Sequence, residues 1–244
     1  MRSMTAEEIL AIKSIEDLRD LTWGDIDDRL MTAPETNHIF RLCDSLWLHS
    51  GNPADPHAEL TPGKCSNGFV DVLRTLCYTN LCELFAYQIN LRLRRDIHSP
   101  RRWVVGSDHA GAAFSHSVAI WLNAKHDFTE KGPNKAQLWQ RFTIEPDEVV
   151  IQVEELITTT STLRAVREGI RKGNSKQPVN FAPFAATLVH RSNEYEIEGS
   201  PIIHLVHYDI DVWDGPETCP LCKQGSKRLR PKHSAEWAEL TGKK

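Results

Sequence analysis

The chain has 244 residues, of which 40% are hydrophobic, and its formal net charge is -4 at pH 7. That length supports one large domain, or a large domain with a small appendage. The negative charge argues against nucleic acid as a partner, and no stretch approaches the roughly 20 apolar residues that span a bilayer. The first residues lack the apolar core of a signal peptide, so we expect a cytoplasmic protein that contacts no membrane.

The first half of the chain predicts mostly helices. Residues 1–50 contain two or three short helical patterns, and Thr36 is expected to cap the last of them. A second helix is predicted over residues 79–94. The apolar run 103–105 ends at Gly106 and is followed by apolar residues at helical spacing, which indicates a strand, a turn and a helix.

The second half repeats this strand–turn–helix pattern. Residues 149–153 predict a strand, the following helix ends at Gly173, and residues 184–189 predict a further buried strand. The alternation predicts an α/β fold with a mainly parallel central sheet flanked by helices. In such sheets ligands bind beyond the C-terminal ends of the strands, which directs attention to the loops at 106–111 and 154–162.

The second of these loops carries the most informative chemistry. The strand ends in Glu154 and Glu155, and a run of five hydroxyl residues then opens the next helix: Thr158, Thr159, Thr160, Ser161 and Thr162. Unpaired N–H groups and the positive end of the dipole at a helix N-terminus suit a phosphate. Carboxylates suit sugar hydroxyls or a hydrated magnesium ion. An ordinary N-cap after a polar turn explains the same residues and stays open on composition alone.

This segment resembles the phosphoribosyl pyrophosphate signature of type I phosphoribosyltransferases. The resemblance implies that Glu154 and Glu155 are catalytic residues facing the ribose hydroxyls, and that the five hydroxyl residues hold the 5-phosphate. It also implies that Mg2+ binds together with phosphoribosyl pyrophosphate. Thr160 stands where the family usually has glycine, and we expect a strained backbone there that costs about 1 kcal/mol.

Other segments resemble orotate phosphoribosyltransferases in the expected order. One resembles the pyrophosphate loop and contains Gly106, Ser107, Asp108, His109, Ala110 and Gly111. Lys64 keeps a basic position of the base-recognition loop, although Thr61 replaces a lysine there. Lys131 and Lys135 are implied catalytic cations of a mobile loop over residues 125–141. Arg164 matches an arginine that contacts the base carboxylate; a plain turn, solvent-facing lysines and a helix-surface arginine are the open alternatives.

The C-terminal tail resembles that of many bacterial orotate enzymes through Cys219-Pro220-Leu221-Cys222. One Cys-x-x-Cys pair is half of a zinc site. No second pair has suitable spacing, and His204 and His207 are weak candidates from the sequence. We therefore assign no metal ligands and expect structural thiols.

Taken over about residues 55–232, the resemblance implies a type I phosphoribosyltransferase-like fold with a small hood. It divides the chain into a helical N-terminal extension (residues 1–50) and a phosphoribosyltransferase domain (residues 51–244) that includes the hood and the tail. The implied activity transfers ribose 5-phosphate to orotate, and the implied assembly is a homodimer. A phosphoribosyltransferase for another base and a non-catalytic regulator of the same fold are the alternatives.

Overall fold

The structure, a computed structural model, describes residues 3–242. The helices are α1 (Ala6–Leu10), α2 (Ile15–Leu18), α3 (Trp23–Ile26), α4 (Ala33–Leu42), α5 (Leu73–Leu76), α6 (Thr79–Leu93), α7 (Ala110–Leu122), α8 (Ser161–Gly173), α9 (Pro220–Lys223) and α10 (Ser234–Thr241). The strands are β1 (Leu46–Leu48), β2 (His57–Leu60), β3 (Lys64–Ser66), β4 (Gly68–Val70), β5 (Arg102–Gly106), β6 (Lys125–Phe128), β7 (Glu130–Lys131), β8 (Gln137–Leu138), β9 (Val149–Ile157), β10 (Asn180–His190), β11 (Glu196–Ile197), β12 (Ser200–His207), β13 (Val212–Trp213) and β14 (Arg228–Leu229). None of these helices combines the length and the apolar character that a membrane span requires.

The chain forms two compact units. The large unit contains the residues up to Thr36 together with Leu76–Tyr208, and the small unit contains Asn37–Thr75 together with the residues from Asp209 onward. The sequence analysis proposed a division at residue 50 instead, between a helical extension and the rest of the chain.

A six-stranded sheet organises the large unit, in the order β11-β12-β10-β9-β5-β6. Every neighbouring pair is parallel except β11 with β12. The central strands β5, β9 and β10 are almost entirely buried, as expected for parallel strands that are covered on both faces. The predicted α/β class with a mainly parallel sheet flanked by helices is confirmed.

Residues 3–36 are bound to helix α6 of the same large unit. Asn80 donates hydrogen bonds to the carbonyl oxygens of Leu18 and Leu21 at 2.8 and 2.9 Å. Gln88, which is buried, donates to the carbonyl oxygen of Arg29 at 3.1 Å. Because side-chain amides of α6 satisfy backbone carbonyls of this segment, its short helices are held by tertiary contacts rather than by their own length.

Two local predictions for the N-terminal region need correction. The region contains four short helices and the strand β1, not two or three helices. Thr36 lies inside α4 rather than at its start. The N-terminus of α4 is capped by Thr32 and Glu35 instead, because the Glu35 carboxylate accepts hydrogen bonds from the backbone N–H and the hydroxyl of Thr32, both at 2.8 Å.

The small unit contains a four-stranded sheet in the order β13-β3-β2-β14. It also contains a separate antiparallel pair of strands, β1 and β4. Phe69 and Trp237 meet edge to face at 5.7 Å, and Leu229 and Leu240 complete that buried cluster. The sheet combines strands from residues 57–66 with strands from residues 212–229, so both segments of the unit are needed to form it.

Candidate active site

The strand order of the large sheet creates a crevice between β5 and β9. The chain passes from β5 outward to β6 and then returns to place β9 on the other side of β5, before continuing to β10. The crossovers therefore run in opposite directions from this point, and ligands in open α/β sheets bind at the strand ends there. The loops that follow β5 and β9 are the two loops selected from the sequence.

Two glycines let the loop after β5 approach the acids of β9. A Cβ added to Gly106 would lie 2.4 Å from the carbonyl oxygen of Gly111. A Cβ added to Gly111 would lie 2.7 Å from Ser107 Oγ and 2.8 Å from Glu154 Oε2. These separations are below any normal contact of a Cβ atom. At Gly106 the neighbour is backbone, so only glycine fits, whereas a Cβ at Gly111 would displace the Ser107 hydroxyl and the Glu154 carboxylate.

Glu154 is buried at the bottom of this crevice, with 3% of its surface exposed. Its Oε1 accepts the backbone N–H of Ser107 at 3.2 Å, and its Oε2 accepts the hydroxyl of Ser107 at 2.6 Å. Burial, followed by the nearby charge of Glu155, raises the pKa of Glu154 to about 8 against the stabilising effect of the Ser107 hydrogen bonds. The pair therefore holds a proton at neutral pH.

Glu155 presents an acceptor atom toward the same loop. Its Oε2 lies 3.4 Å from the position that a Cβ on Gly111 would occupy. The atom is buried, and it has no hydrogen-bond partner among residues 3–242. Burial raises the pKa of Glu155, and the charge of Asp108 adds to the increase. A buried carboxylate oxygen without a partner is costly unless a ligand donates to it, so this atom marks a binding position.

The rest of the loop after β5 is strained at His109. Its φ is 61° and its ψ is -109°, which is uncommon for a residue other than glycine. His109 Nδ1 lies 2.8 Å from a carboxylate oxygen of Asp108, and Gln137 donates to the other carboxylate oxygen at 3.4 Å. Strain of this kind persists where the surrounding structure enforces it and is concentrated at functional loops. Helix α7 begins immediately afterwards, at Ala110.

The loop after β9 leads into helix α8 without a side-chain cap. The exposed hydroxyl residues are Thr158, Thr159, Ser161 and Thr162, and Thr159 and Ser161 share a hydrogen bond of 2.7 Å. The backbone N–H groups in the first turn of a helix have no intrahelical partners and carry partial positive charge. This end of α8 can therefore receive an anion.

The expected strain at Thr160 is wrong. Its φ is -78° and its ψ is 2°, outside the left-handed region that favours glycine, so the backbone here accommodates a β-branched residue. Thr160 is buried, with 2% of its surface exposed. Threonine in place of glycine therefore does not distort the loop.

Glu194, which was not predicted from the sequence, contacts two of the predicted site residues. Its carboxylate accepts hydrogen bonds from the hydroxyl of Thr160 and from the guanidinium of Arg164, the latter at 3.0 Å. These two donors lower the pKa of Glu194. Glu194 follows β10, whose C-terminal end lies next to that of β9. Its place just after a strand that neighbours β9 was the signal that could have identified it.

The predicted lysines lie on two short strands and the turn of a hairpin. Lys131 and Lys135 are exposed on a hairpin formed by β7 and β8, where the sequence predicted a mobile loop. The base of that hairpin is anchored, because Trp139 is 3% exposed and packs edge to face on Trp103 at 5.6 Å. Lys64 belongs to the small unit, where its ammonium donates to Asp214 at 2.7 Å.

Proteins similar to this chain in sequence include orotate phosphoribosyltransferases. No family model matches the chain. An orotate phosphoribosyltransferase of Pelotomaculum thermopropionicum is 30% identical over 187 residues, which cover 77% of this chain and 94% of that protein. An orotate phosphoribosyltransferase of Heliobacterium modesticaldum is 26% identical over 201 residues, which cover 82% of this chain and 98% of that protein.

Solved structures show the same fold. The crystal structure of orotate phosphoribosyltransferase from Aeropyrum pernix superimposes with a TM-score of 0.54 at 16% identity, covering 69% of this chain and 91% of that one. The Mycobacterium tuberculosis H37Rv orotate phosphoribosyltransferase gives a TM-score of 0.50 at 15% identity, covering 69% and 94%.

Proposed function

The chain belongs to the orotate phosphoribosyltransferase family, and on that premise we propose that it is a pentosyltransferase of pyrimidine biosynthesis. It transfers ribose 5-phosphate from phosphoribosyl pyrophosphate to orotate and gives orotidine 5'-monophosphate and pyrophosphate. The observation that carries the proposal is the juxtaposition of Glu154 and Glu155 with Gly111, beside the uncapped start of α8. This arrangement offers acceptors for a sugar and donors for a phosphate within one crevice.

The 5-phosphate binds at the start of α8. Backbone N–H groups of Ser161 and Thr162 lie in the first helical turn, and the side chains of Thr158 and Thr159 add exposed hydroxyl donors. The hydroxyl of Thr160 donates a hydrogen bond to Glu194, and this bond orients the turn at the start of α8. The relaxed backbone at Thr160 leaves the N–H groups free to point at the anion.

The ribose hydroxyls donate to the acidic pair. Glu155 Oε2 is the buried acceptor that lacks a partner among the described residues, and Glu154 is oriented by its two bonds to Ser107. Mg2+ prefers oxygen ligands, so the carboxylates of Glu154 and Glu155 would hold a hydrated magnesium ion, which when bound would supply positive charge to neutralise the pyrophosphate.

The loop after β5 holds the leaving group. Its backbone N–H groups, from Ser107 through Asp108, His109 and Ala110 to Gly111, provide fixed dipoles for the pyrophosphate. Lys131 and Lys135, which are exposed on the hairpin, add cationic groups. When pyrophosphate departs and the base nitrogen bonds to the anomeric carbon, these donors stabilise the negative charge that develops on the leaving group.

Orotate recognition involves Arg164. In the structure its guanidinium is bound to Glu194 and to the Thr160 hydroxyl, the latter at 3.2 Å. Both partners of the ion pair are about half exposed, at 50% and 53%, so the pair is weak and readily exchanged. Arg164 thus exchanges the carboxylate of Glu194 for the carboxylate of orotate when the base binds.

The family relationship supports three further parts of the proposal. The chain acts in the cytoplasm, it acts as a homodimer, and it acts on small molecules rather than on nucleic acid. Light scattering coupled to size exclusion tests the assembly directly, and a mass of one chain, 27.7 kDa, at micromolar concentration would refute the homodimer.

The activity is tested by orotate consumption with phosphoribosyl pyrophosphate and Mg2+, for the wild type, Glu155→Gln and the control Glu168→Gln. Glu168 lies on the exposed side of α8 and pairs with Lys172 at 2.9 Å, so its substitution leaves the crevice unchanged. We expect turnover by the wild type and the control, and a loss of at least about 100-fold for Glu155→Gln.

Other outcomes discriminate the alternatives. Consumption of a different base by the wild type would replace orotate and keep the reaction class. Binding of phosphoribosyl pyrophosphate with no turnover for any pyrimidine or purine base would identify a regulator. Equal turnover by Glu155→Gln and Glu168→Gln would remove the acidic pair from the proposal.

A further inference from the structure

The small unit brings together four side chains that commonly bind metals. They are His57 at the start of β2, Cys65 in β3, and Cys219 and Cys222 on either side of the turn into α9. One ligand atom from each lies within 4.8 Å of the others, and three of the four residues are buried. We propose that these residues bind one zinc ion in a closed Cys3His site.

The distances match tetrahedral coordination. A zinc ion with Zn–S near 2.3 Å and Zn–N near 2.05 Å places two sulfurs about 3.8 Å apart and a sulfur and nitrogen about 3.6 Å apart. Cys65 Sγ and Cys222 Sγ are 3.6 Å apart. His57 Nε2 lies 3.6 Å from Cys219 Sγ and 3.3 Å from Cys222 Sγ. Three of the six separations between ligand atoms thus lie within about 0.3 Å of the values for zinc, and all six are within 4.8 Å.

The outer hydrogen bonds fix His57 in the tautomer that binds a metal. Ser226 Oγ donates to the carbonyl oxygen of Asp55 at 2.6 Å, so its lone pairs remain as acceptors. His57 Nδ1 lies 2.8 Å from that hydroxyl oxygen and therefore carries the proton and donates it. The Nε2 lone pair is then left facing the three sulfurs, as metal-binding histidines require.

The Cys219–Cys222 turn has the backbone geometry of a metal-binding knuckle. Cys219 precedes α9, which begins with Pro220, and the backbone N–H of Cys222 donates to Cys219 Sγ at 3.5 Å. Such a bond stabilises a sulfur that carries negative charge. Gly225 adopts a φ of 85° just after α9, which a residue with a side chain rarely adopts, and the chain turns back there.

The chemistry of the donor set selects zinc. Three sulfurs and one imidazole nitrogen exclude Mg2+ and Ca2+, which bind oxygen, and four protein ligands leave no position for catalysis. The three thiol groups lie close together in a cluster in which Cys65 and Cys219 are buried. Binding a divalent ion replaces the thiol protons and turns mutual repulsion into attraction.

The site ties the two segments of the small unit together. His57 and Cys65 belong to the β2–β3 hairpin, whereas Cys219 and Cys222 lie more than 150 residues later, since Cys65 and Cys222 are 157 positions apart. Lys64 directly precedes Cys65, so the same ion fixes the strand that carries this predicted substrate contact. The role is structural, and the activity loss on metal removal should appear mainly in KM.

Metal analysis of the full chain tests the proposal. We expect the wild type, purified without chelator, to contain about one zinc per chain, and Cys222→Ser to contain far less and to unfold at lower temperature. Cys43→Ser is the matched control, because Cys43 is a buried cysteine of the same unit outside the cluster. Retention of zinc by both Cys222→Ser and Cys65→Ser would overturn the site.

Cobalt substitution keeps the test informative if the serine variants do not fold. The Co2+-loaded wild type should show the visible bands of tetrahedral Co2+ and charge transfer from thiolate, and His57→Cys should increase that charge transfer by about a third. Reduced wild type that takes up neither Zn2+ nor Co2+ refutes the proposal. A disulfide among Cys65, Cys219 and Cys222 in freshly purified, metal-free chain refutes it as well.

Discussion

The proton held by the acidic pair makes a quantitative prediction about substrate binding. The pKa of Glu154 is about 8 in the free protein, so the carboxylate is about one-eleventh ionised at pH 7 and about ten-elevenths ionised at pH 9. Ribose hydroxyls and Mg2+ bind the ionised form. Ionising the pair at pH 7 therefore costs on the order of 1 kcal/mol, and the affinity for phosphoribosyl pyrophosphate should rise by about an order of magnitude from pH 7 to pH 9.

Isothermal titration of phosphoribosyl pyrophosphate at fixed Mg2+ measures this dependence. The range from pH 7 to 9 lies above the second pKa of a phosphate monoester, about 6, so the ligand contributes little to the slope. Glu154→Gln removes the carboxyl group whose pKa is raised to about 8, while its amide still bonds with Ser107, and its affinity should vary less with pH than that of the wild type. Equal slopes for the wild type and Glu154→Gln would show that the proton is not released on binding.

Three further substitutions give independent expectations. Gly111→Ala should lower kcat/KM at least about 100-fold, because its Cβ would lie 2.8 Å from a carboxylate oxygen of Glu154. Gly24→Ala is the control, because its added Cβ has its nearest neighbour at 3.6 Å. Equal activities of the two variants would contradict the close approach at Gly111. Glu148→Gln should destabilise the chain at neutral pH: burial raises the pKa of Glu148, but its hydrogen bonds lower it further, from 4.5 to about 2. The lowered pKa contributes up to about 3 kcal/mol to the free energy of unfolding above pH 4.5, and this contribution is lost as the pH falls toward 2. The free energies of unfolding of the wild type and Glu148→Gln, measured by denaturation, should therefore converge near pH 2. Glu194→Gln should free Arg164 and lower the KM for orotate by up to about fivefold, and an increased KM would mean that Glu194 supports the site.

Much of the fold was predictable because it follows from local pattern. The β-branched run that starts at Val149 and the apolar spacing of Leu163, Val166 and Ile170 predict β9 and α8 directly, since a buried strand and an amphipathic helix leave different periodicities. The alternation of such elements then limits the sheet to a parallel one. The ends of the elements were less certain, and β9 extends four residues past its predicted end at residue 153.

The parts of the sites that the sequence did not reveal depend on distant segments. Glu194 reaches Arg164 across 30 positions, and His57 lies 162 positions before Cys219. No local spacing encodes such pairs, because they follow from which strands become neighbours. The backbone angle at Thr160 was mispredicted because the usual glycine of the family at this position does not mean that the loop requires a left-handed conformation in this chain.

The division of the small unit between two segments of the chain also sets an order of events during synthesis. A ribosome that has released residues up to Tyr208 has supplied every strand of the six-stranded sheet, but only half of the four-stranded one. The hairpin of β2 and β3 is then present without β13 and β14, and His57 gains its bond to Ser226 only when the last segment emerges. Domains generally fold as units during synthesis, so we expect the nascent chain to complete the six-stranded sheet of the large unit before the four-stranded sheet of the small unit.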